Sequence, residues 1–402
     1  MQLISSSLKV IDIEIIRGEC MKKGIVLLLG ILIMLPCRVG ALNLAENAKS
    51  AILIEASTGT IIYEKNSHEK LAPASMTKMM SMLLIVEAIE DGKLSWDQMI
   101  TTSENASSMG GSQILLETGE KMSVEDLFKG IAVASGNDAV VALSEAVAGT
   151  EEEFVNMMNQ RAKELGLEDT NFKNPHGLDT ANHYTSAYDM AMIAKELVRH
   201  EKVLEFTSIY EDYLREDQEN KVWLVNTNKL VKFYDGMDGL KTGYTKEAGY
   251  CLTATAKRGD TRFITVVMGE EDTKTRNSET TSMMDYAFGQ YEVEKVLDKK
   301  RTVGTVRVEK GKVDTIQLVP IDDVTILNKK SDQKKNSNYE VKTKTITAPI
   351  KKGEQVGELI LEVDGEEKRT VPLTVQESIE KANLLEVYLG HVKSMLSGDL
   401  EV

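Results

Sequence analysis

The stretch Pro73-Ala74-Ser75-Met76-Thr77-Lys78 places a serine and a lysine three residues apart at the start of an apolar segment. The segment continues to Glu90 and stops at Asp91-Gly92. This pattern predicts a helix that begins near Pro73 and ends at a glycine. Because apolar residues surround most of the helix, we expect it to be buried rather than amphipathic.

Lys78 is the exception in this apolar helix. An ammonium group is costly to bury, so a lysine here is paired, reaches a cleft, or is held neutral. Only a neutral amine can act as a base. Residues at i and i+3 share a helix face, so Lys78 Nζ is predicted to reach Ser75 Oγ beside the amides of the first turn. A lone Ser-x-x-Lys match is more often a helix start with a surface lysine.

Composition limits the classes of function. The chain has 402 residues, which allows two or three domains, and a formal net charge of −15 with a pI near 5.0. This acidity argues against nucleic acid as a partner. The five histidines are scattered without metal-ligand spacing, and no glycine-rich phosphate loop is present, so we expect neither a metal nor a cofactor.

The N-terminus predicts an exported protein. Met21-Lys22-Lys23, the apolar run 24–35 and Val39-Gly40-Ala41 have the charged start, short apolar core and small-residue cleavage site of a signal peptide over 21–41. The apolar run is shorter than the ~20 residues of a spanning helix, so a membrane anchor is the weaker interpretation. Residues 1–20 are then an upstream extension, with translation starting at Met21.

Cysteine content agrees with export. Cleavage after Ala41 removes Cys20 and Cys37 and leaves Cys251 alone, so no internal disulfide forms. Cys251 lies in an apolar strand-like run, which favours an inert core thiol over a nucleophile.

Apolar patterning predicts an α+β catalytic domain over 43–292. Two runs flanking Ser57-Thr58-Gly59 indicate a β-hairpin, and three β-rich runs follow residue 239. Strands near both ends with helices between them indicate one antiparallel sheet carrying helices. The predicted strands are 51–56, 60–64, 239–244, 249–257 and 262–268, and the predicted helices are 75–90, 124–134, 139–148, 151–165, 186–198 and 277–291.

After residue 292 the sequence pattern changes from long apolar helices to short alternating runs. Short alternating runs over 293–375 predict a small β-sandwich-like domain without catalytic residues. Residues 376–402 are predicted to form an amphipathic C-terminal helix and tail. That segment has few basic residues and no tryptophan, so we expect weak peripheral membrane association at most.

Two further motifs support the Ser75–Lys78 pair. Ser135-Gly136-Asn137 lies between two predicted helices, and Lys241-Thr242-Gly243 lies on a predicted strand. Either motif alone is commonplace as a helix cap or a strand end. All three in this order, after a signal peptide, are a strong signal.

With these motifs the sequence resembles the penicillin-recognising serine acyltransferases. It is most similar to the D-alanyl-D-alanine carboxypeptidases of the penicillin-binding protein 5 type, which carry a β-rich C-terminal domain. Asn174-Pro175-His176-Gly177-Leu178 and the run 238–245 agree with that family. The resemblance implies a β-lactamase/transpeptidase-like fold. It also implies a hydrolase that cleaves peptidoglycan stem peptides ending in D-Ala-D-Ala and is inhibited covalently by β-lactams.

The resemblance also implies roles for residues. Ser75 is the expected nucleophile, Lys78 its base and Ser135 a proton relay to the leaving D-alanine. Asn137 is expected to hold the substrate amide, and the backbone amides of Ser75 and Tyr244 to form the oxyanion hole. The remaining binding residues are expected around the substrate carboxylate: Lys241, Thr242, Gly243 and Arg276.

Other interpretations stay open at this point. For Arg276, the neighbouring Arg262 is an alternative and a surface arginine is the default. His176 invites a Ser-His hypothesis, but no aspartate partner is evident, so a loop-shaping role is favoured. Competing functions are a β-lactamase or DD-endopeptidase of the same superfamily, and a non-catalytic receptor for wall peptide or β-lactam. The expected location is the outer face of a bacterial cytoplasmic membrane and the cell wall.

Overall fold

An antiparallel sheet with helices on both faces dominates the computed structural model, which describes residues 42–365 and 367–383. The strands of the first domain are β1 (Ser50–Glu55), β2 (Ile61–Lys65), β3 (Met99–Thr101), β4 (Lys121–Ser123), β5 (Glu211–Leu214), β6 (Val222–Val225), β7 (Met237–Thr245), β8 (Gly249–Arg258) and β9 (Thr261–Glu270). The helices are α1 (Lys78–Glu90), α2 (Glu104–Ser107), α3 (Val124–Ala134), α4 (Asn137–Ala148), α5 (Glu151–Glu164), α6 (Ala187–Leu197), α7 (Glu201–Thr207), α8 (Leu230–Phe233) and α9 (Thr273–Gln290). A 3₁₀ turn over Ala74–Thr77, called here the Ser75 turn, leads directly into α1.

The five-stranded sheet has the order β2-β1-β9-β8-β7, with every neighbouring pair antiparallel. Alternate side chains of β1 pack into two separate hydrophobic clusters, one on each face of the sheet. Ile52 and Ile54 pack with the helical layer that contains α1, whereas Leu53 packs with Met283 and Phe288 of α9. Because side chains alternate across a strand, this arrangement buries both faces of the sheet.

The predicted α+β class is confirmed, and the predicted hairpin, the three consecutive strands and the buried helix after Ser75 are all present. Two details differ. The first turn of the predicted helix is 3₁₀ rather than α-helical. The helix predicted from residue 277 begins at Thr273, because the Asp272 side chain accepts from the amides of Lys274 and Thr275 and caps it there.

The second domain is all β, as predicted, with its own apolar core. Its strands are β10 (Tyr291–Leu297), β11 (Gly304–Glu309), β12 (Thr315–Pro320), β13 (Val324–Lys329), β14 (Ser337–Thr343), β15 (Ile346–Thr347), β16 (Gly357–Val363) and β17 (Glu367–Val375). A six-stranded sheet has the order β14-β16-β17-β12-β11-β15, and β10 pairs with β13. β10 runs across the predicted domain boundary between residues 292 and 293.

Hydrogen bonds connect the two domains at both ends of β13. Ser57 Oγ, at the β1–β2 turn, lies 2.7 Å from Thr325 Oγ1. Lys330 Nζ donates to the Phe288 carbonyl at 2.7 Å. These contacts attach the β-domain to the α9 side of the catalytic sheet.

The predicted C-terminal helix is wrong for residues 376–383. This segment is extended, and Ile379 and Lys381 form isolated β-bridges with Ile350 and Gly311. Ile379 packs into the core of the β-domain, which holds the segment on the sheet instead of in a helix. The rest of the predicted helix, the signal peptide and the upstream extension lie outside the described residues. Within the described residues, no helix has the length and apolar character needed to cross a membrane.

A buried carboxyl pair joins the catalytic sheet to the chain before β1. Glu279 of α9 accepts hydrogen bonds from the amides of Asn47 and Ala48. Both side-chain oxygens of Glu270 are buried without a donor among the described residues. Burial and the neighbouring Glu279 raise the pKa of Glu270 to about 8, so Glu270 holds a proton that it can donate to Glu279. Burial raises the pKa of Glu279, but hydrogen bonds from Glu270 and Asn47 outweigh burial, so the pKa of Glu279 is lowered.

This pair predicts a pH-dependent stability. An acid with a raised folded-state pKa stabilises the fold below its ordinary pKa and loses that contribution as pH rises to about 8. We expect Glu270→Gln, which keeps a donor but does not ionise, to lose less stability than wild type between pH 5 and 8. Urea unfolding at both pH values measures this difference, and equal pH dependence of the two proteins would contradict it.

Candidate active site

Ser75 and Lys78 meet at the junction of the Ser75 turn and α1. Lys78 Nζ lies 3.0 Å from Ser75 Oγ, as the sequence predicted, and donates to the His176 carbonyl at 2.7 Å. The Lys78 side chain is completely buried. Burial lowers its pKa well below the ordinary value, the charge of Lys241 lowers it further, and Asp138 opposes both. A neutral Lys78 can donate to His176 and still offer its lone pair to the Ser75 hydroxyl.

The backbone before Ser75 is held in an unusual conformation. Ala74 has φ +47°, a left-handed conformation that costs about 1 kcal/mol or more for a residue with a side chain. Gly177, with φ +89°, lies directly against it, and a Cβ at residue 177 would stand 1.8 Å from the Ala74 carbonyl oxygen. Only glycine fits there. The His-Gly-Leu segment therefore contacts both the lysine and the turn that carries the serine.

The Ser135-Gly136-Asn137 motif forms the corner between α3 and α4. Ser135 has φ +65° at the end of α3, and the Asn137 side chain donates to the Gly110 carbonyl at 2.6 Å. Ser135 Oγ and Asn137 Oδ1 are buried and have no hydrogen-bond partner among the described residues. Buried polar atoms are usually paired, so these two oxygens are suited to bind a ligand.

Asp138 follows this motif and was not singled out by sequence analysis. Its carboxylate accepts from the amides of Ile114 and Leu116 at 3.0 and 3.1 Å. These bonds fix the 110–116 loop beside Asn137. An acidic residue next to an asparagine at a helix start has an ordinary local explanation, so the sequence carried no separate signal for it.

The Lys241-Thr242-Gly243 motif lies on β7. Lys241 is buried, and burial together with the charge of Arg276 lowers its pKa to about 7. Thr242 Oγ1 donates to Thr227 Oγ1 at 2.7 Å, and the Thr227 amide donates to the Val133 carbonyl at 3.2 Å. Thr227, which sequence analysis missed, thus connects the end of α3 to β7.

The other end of the motif packs on the Ser75 turn. A Cβ at Gly243 would lie 2.8 Å from the Pro73 carbonyl oxygen and 3.1 Å from Ala74 Cβ. This close backbone approach brings β7 against the serine. The side chain of Tyr244 is 54% exposed, and its ring stacks on Tyr250 with centroids 4.3 Å apart.

Arg276 lies in the first part of α9 and is 5% exposed, so it is not the surface arginine of the default interpretation. Its guanidinium donates to Asn277 Oδ1, and its charge acts on Lys241. Arg262 is instead paired with both carboxylate oxygens of Asp238, at 2.8 and 2.7 Å. The structure therefore places Arg276 near the motif lysine and engages Arg262 elsewhere.

His176 contributes its backbone as well as its ring. Burial and the charge of Lys78 lower the pKa of the imidazole to about 3, so it is neutral near pH 7. Its Nδ1 accepts from the Leu178 amide at 3.2 Å, and Nε2 lies 3.6 Å from Glu151 Oε1. Its contact with Lys78 is made through the carbonyl, and that contact shapes the site.

Cys251 is fully buried on β8, as predicted. Burial raises the pKa of its thiol to about 11, which keeps it protonated and unreactive.

One group of side chains among the described residues has the spacing of a metal site: Glu87, Glu196 and His200. Arg161 donates to Glu87 at 2.7 Å and to Glu196 at 3.2 Å, so a guanidinium already neutralises these carboxylates. The group is also about 13 Å along α1 from Lys78.

A serine beside a buried lysine, with a serine–asparagine corner and a lysine–threonine strand around it, defines an active-serine acyltransferase. The chain belongs to the D-alanyl-D-alanine carboxypeptidase family, whose model matches residues 39–272. Residues 291–381 match the C-terminal domain of penicillin-binding protein 5. The family resemblance inferred from sequence is confirmed, and the chain is a serine-type D-Ala-D-Ala carboxypeptidase.

Individual relatives agree over most of the chain. D-alanyl-D-alanine carboxypeptidase DacF of Bacillus subtilis (strain 168) is 53% identical over 344 residues, covering 85% of this chain and 88% of the relative. The crystal structure of penicillin-binding protein 5 from Haemophilus influenzae is 32% identical, with a TM-score of 0.65 over 83% of this chain and 98% of that one. Penicillin-binding protein D2 from Listeria monocytogenes, solved with ampicillin bound, is 31% identical with a TM-score of 0.54, covering 60% and 98%.

The close packing of β7 on the Ser75 turn predicts the effect of Gly243→Ala. The added methyl would meet a backbone carbonyl at 2.8 Å, so the strand and the turn must separate. Because a misplacement of about 1 Å can cost about 10²-fold in rate, we expect acylation by a fluorescent penicillin to slow by about that factor. Gly289→Ala is the matched control, since nothing lies within 4 Å of its added methyl. Equal labelling rates of the two variants would contradict the packing argument.

Proposed function

We propose that Ser75 is the nucleophile that removes the terminal D-alanine from peptidoglycan stem peptides ending in D-Ala-D-Ala. The observation that carries this assignment is the 3.0 Å separation between Ser75 Oγ and the buried Nζ of Lys78. A serine needs an adjacent base to become a useful nucleophile, and a lysine serves only when its pKa is depressed. Lys78 meets both conditions.

In the acylation step, Ser75 Oγ attacks the carbonyl carbon of the penultimate D-alanine while Lys78 Nζ takes the hydroxyl proton. The C–N bond then breaks, and Ser135 passes a proton from Lys78 to the nitrogen of the departing D-alanine. The Ser135 hydroxyl is buried and has no hydrogen-bond partner within residues 42–365 and 367–383, which supports this role. The products are free D-alanine and a Ser75 ester.

Two backbone amides, of Ser75 and Tyr244, form the oxyanion hole in this proposal. The packing of Gly243 on Pro73 brings β7 and the Ser75 turn together, which supports a hole shared between them. Loss of one such donor typically raises the barrier by about 2.7 to 4 kcal/mol.

The terminal carboxylate of the substrate binds at the cationic end of β7. Thr242 offers a hydroxyl, and Lys241 and Arg276 supply positive charge from buried positions. Asn137 binds the substrate amide through Oδ1, which has no partner among the residues described, while its Nδ2 donates to the Gly110 carbonyl. A carboxylate bound by charge-assisted hydrogen bonds fixes which amide bond faces Ser75.

Deacylation uses the same base. Water attacks the ester carbonyl as Lys78 takes one of its protons, and that proton returns to Ser75 Oγ when the C–O bond breaks. A β-lactam acylates Ser75 in the same way but leaves slowly, which makes it an inhibitor of this chain. The ampicillin-bound structure of the Listeria relative supports β-lactam binding here.

A β-lactamase of the type that deacylates with a glutamate needs that acid on the loop after the Ser135 motif. The described loop 170–179 contains no glutamate. The carboxypeptidase is therefore favoured over the β-lactamase, and crosslinked wall peptides are the alternative substrate that a DD-endopeptidase would cleave.

We also propose that the enzyme acts outside the cell, at the outer face of the cytoplasmic membrane and in the wall. The signal-peptide pattern over 21–41 and the location of the wall substrate support export. N-terminal sequencing of the protein recovered from the exterior of an expressing bacterium is expected to begin at Leu42. A mature chain that begins before residue 42 would contradict the predicted cleavage.

Two substitutions test the nucleophile and the base. Ser75→Ala is expected to abolish both D-alanine release and covalent labelling by a fluorescent penicillin. Lys78→Arg keeps a long cation, but arginine cannot become neutral, so acylation is expected to fall by about 10² to 10⁴-fold at every pH from 6 to 9. Mass spectrometry of the products from a D-Ala-D-Ala pentapeptide measures release. Labelling of Ser75→Ala at the wild-type rate would overturn the mechanism.

A further inference from the structure

A chain of hydrogen bonds under the Ser75 turn involves a histidine that neither the motifs nor the mechanism uses. His183 Nδ1 accepts from the Lys173 amide at 2.9 Å. Its Nε2 lies 2.8 Å from Thr77 Oγ1, and Thr77 Oγ1 donates to the Ala74 carbonyl at 2.8 Å. Ala74, Thr77 and His183 are all buried, and His183 is only 7% exposed.

The direction of this chain is determined by its two ends. The Lys173 amide can only donate, so His183 Nδ1 carries no hydrogen in this arrangement. A neutral imidazole then has its hydrogen on Nε2 and donates it to Thr77 Oγ1. The Thr77 hydroxyl, having accepted that bond, is free to direct its own hydrogen at the Ala74 carbonyl, which can only accept.

The charge state of His183 agrees with this direction. Burial and the nearby Lys173 lower the pKa of the imidazole while Asp179 opposes them, and the net result is a pKa of about 4. A second ring hydrogen would also point at the Lys173 amide hydrogen. The chain is therefore intact throughout the neutral pH range.

The last hydrogen bond of this chain, from Thr77 Oγ1 to the Ala74 carbonyl, acts on the strained residue that precedes Ser75. Ala74 has φ +47°, and its carbonyl is already in contact with Gly177. Strained backbone persists only where its surroundings hold it. The Thr77 hydroxyl donates to this carbonyl, and the orientation of Ser75, the next residue, depends on that bond.

Segment 171–185, which carries His183, also forms hydrogen bonds with residues before and after the Ser75 turn. Leu71, before the turn, forms a β-bridge with Thr185, with N–O distances of 2.8 and 2.9 Å. After the turn, Lys78 Nζ donates to the His176 carbonyl and Ser81 Oγ donates to the Pro175 carbonyl, both at 2.7 Å. Between these contacts, His183 bonds to Thr77 within the Ser75 turn itself.

We propose that His183 is a positioning residue for the nucleophile: its Nε2 hydrogen orients the Thr77 hydroxyl, which fixes the Ala74 carbonyl and thereby the direction of Ser75 Oγ toward Lys78 and the substrate. The inference rests on Ser75 being the nucleophile, as proposed above. It makes His183 necessary for fast acylation although it touches no substrate.

Two substitutions of His183 each keep one of its two hydrogen bonds. In His183→Asn, the side-chain oxygen takes the place of Nδ1 and accepts from Lys173, but nothing reaches Thr77. In His183→Gln, the longer amide places a donor near Nε2 and can still bind Thr77. The rate of acylation by a fluorescent penicillin is measured per folded molecule, with urea unfolding of each variant giving the folded fraction.

The asparagine variant is expected to acylate about 10 to 100-fold more slowly than wild type, and the glutamine variant within a few fold of it. Thr77→Val, which removes the hydroxyl, is expected to match the asparagine variant, whereas Thr77→Ser is expected to retain the wild-type rate. The double variant of His183→Asn and Thr77→Val should be no slower than either single variant, because both remove the same link.

Each other outcome overturns the proposal. Wild-type acylation by His183→Asn would show that the link is not needed. Equal losses in the asparagine and glutamine variants, or losses that add to those of Thr77→Val, would show that His183 acts by a route other than Thr77. Failure of the nucleophile assignment is distinguishable, since Ser75→Ala would then still be labelled whatever the His183 variants do.

Discussion

The burial of one lysine is the constraint on which the rest of this structure depends. The Lys78 side chain is completely buried, and a charged amine in that position would be strongly unfavourable. The positive charge of Lys241 makes the ammonium state still less favourable, while the carboxylate of Asp138 limits the effect. The fold thus stabilises the neutral amine, and the neutral amine is the state that can activate Ser75.

The surrounding elements serve this pair from three directions. The sheet brings β7 against the Ser75 turn through a glycine contact, and the α3–α4 corner presents two buried oxygens that find no hydrogen-bond partner in the part of the chain that the structure describes. The 171–185 segment packs on the remaining side. The carbonyl of His176 accepts a hydrogen bond from Lys78, and the ring of His183 bonds to Thr77 in the Ser75 turn. A site assembled from separate elements requires that each contact be tight, which explains the close approaches at Gly177 and Gly243.

Sequence alone predicted the fold class and the residues brought together here because the family motifs fall on strongly patterned elements. It could not predict features that depend on tertiary contacts. The close approach of Gly177 to the left-handed Ala74 in the Ser75 turn is one such feature, and residues 376–383 follow the sheet because Ile379 enters its core. Thr227 and His183 are ordinary polar residues in loops, so only their hydrogen-bond partners distinguish them.

The protonation state of Lys78 is the most direct test of this account. Protein labelled with ¹³C at lysine Cε, with the Lys78 signal assigned by its loss in Lys78→Arg, can be titrated by NMR from pH 5 to 11. Lys78 is expected to titrate well below the ordinary lysine pKa of about 10.4. Titration of Lys78 together with the surface lysines near that value would contradict it.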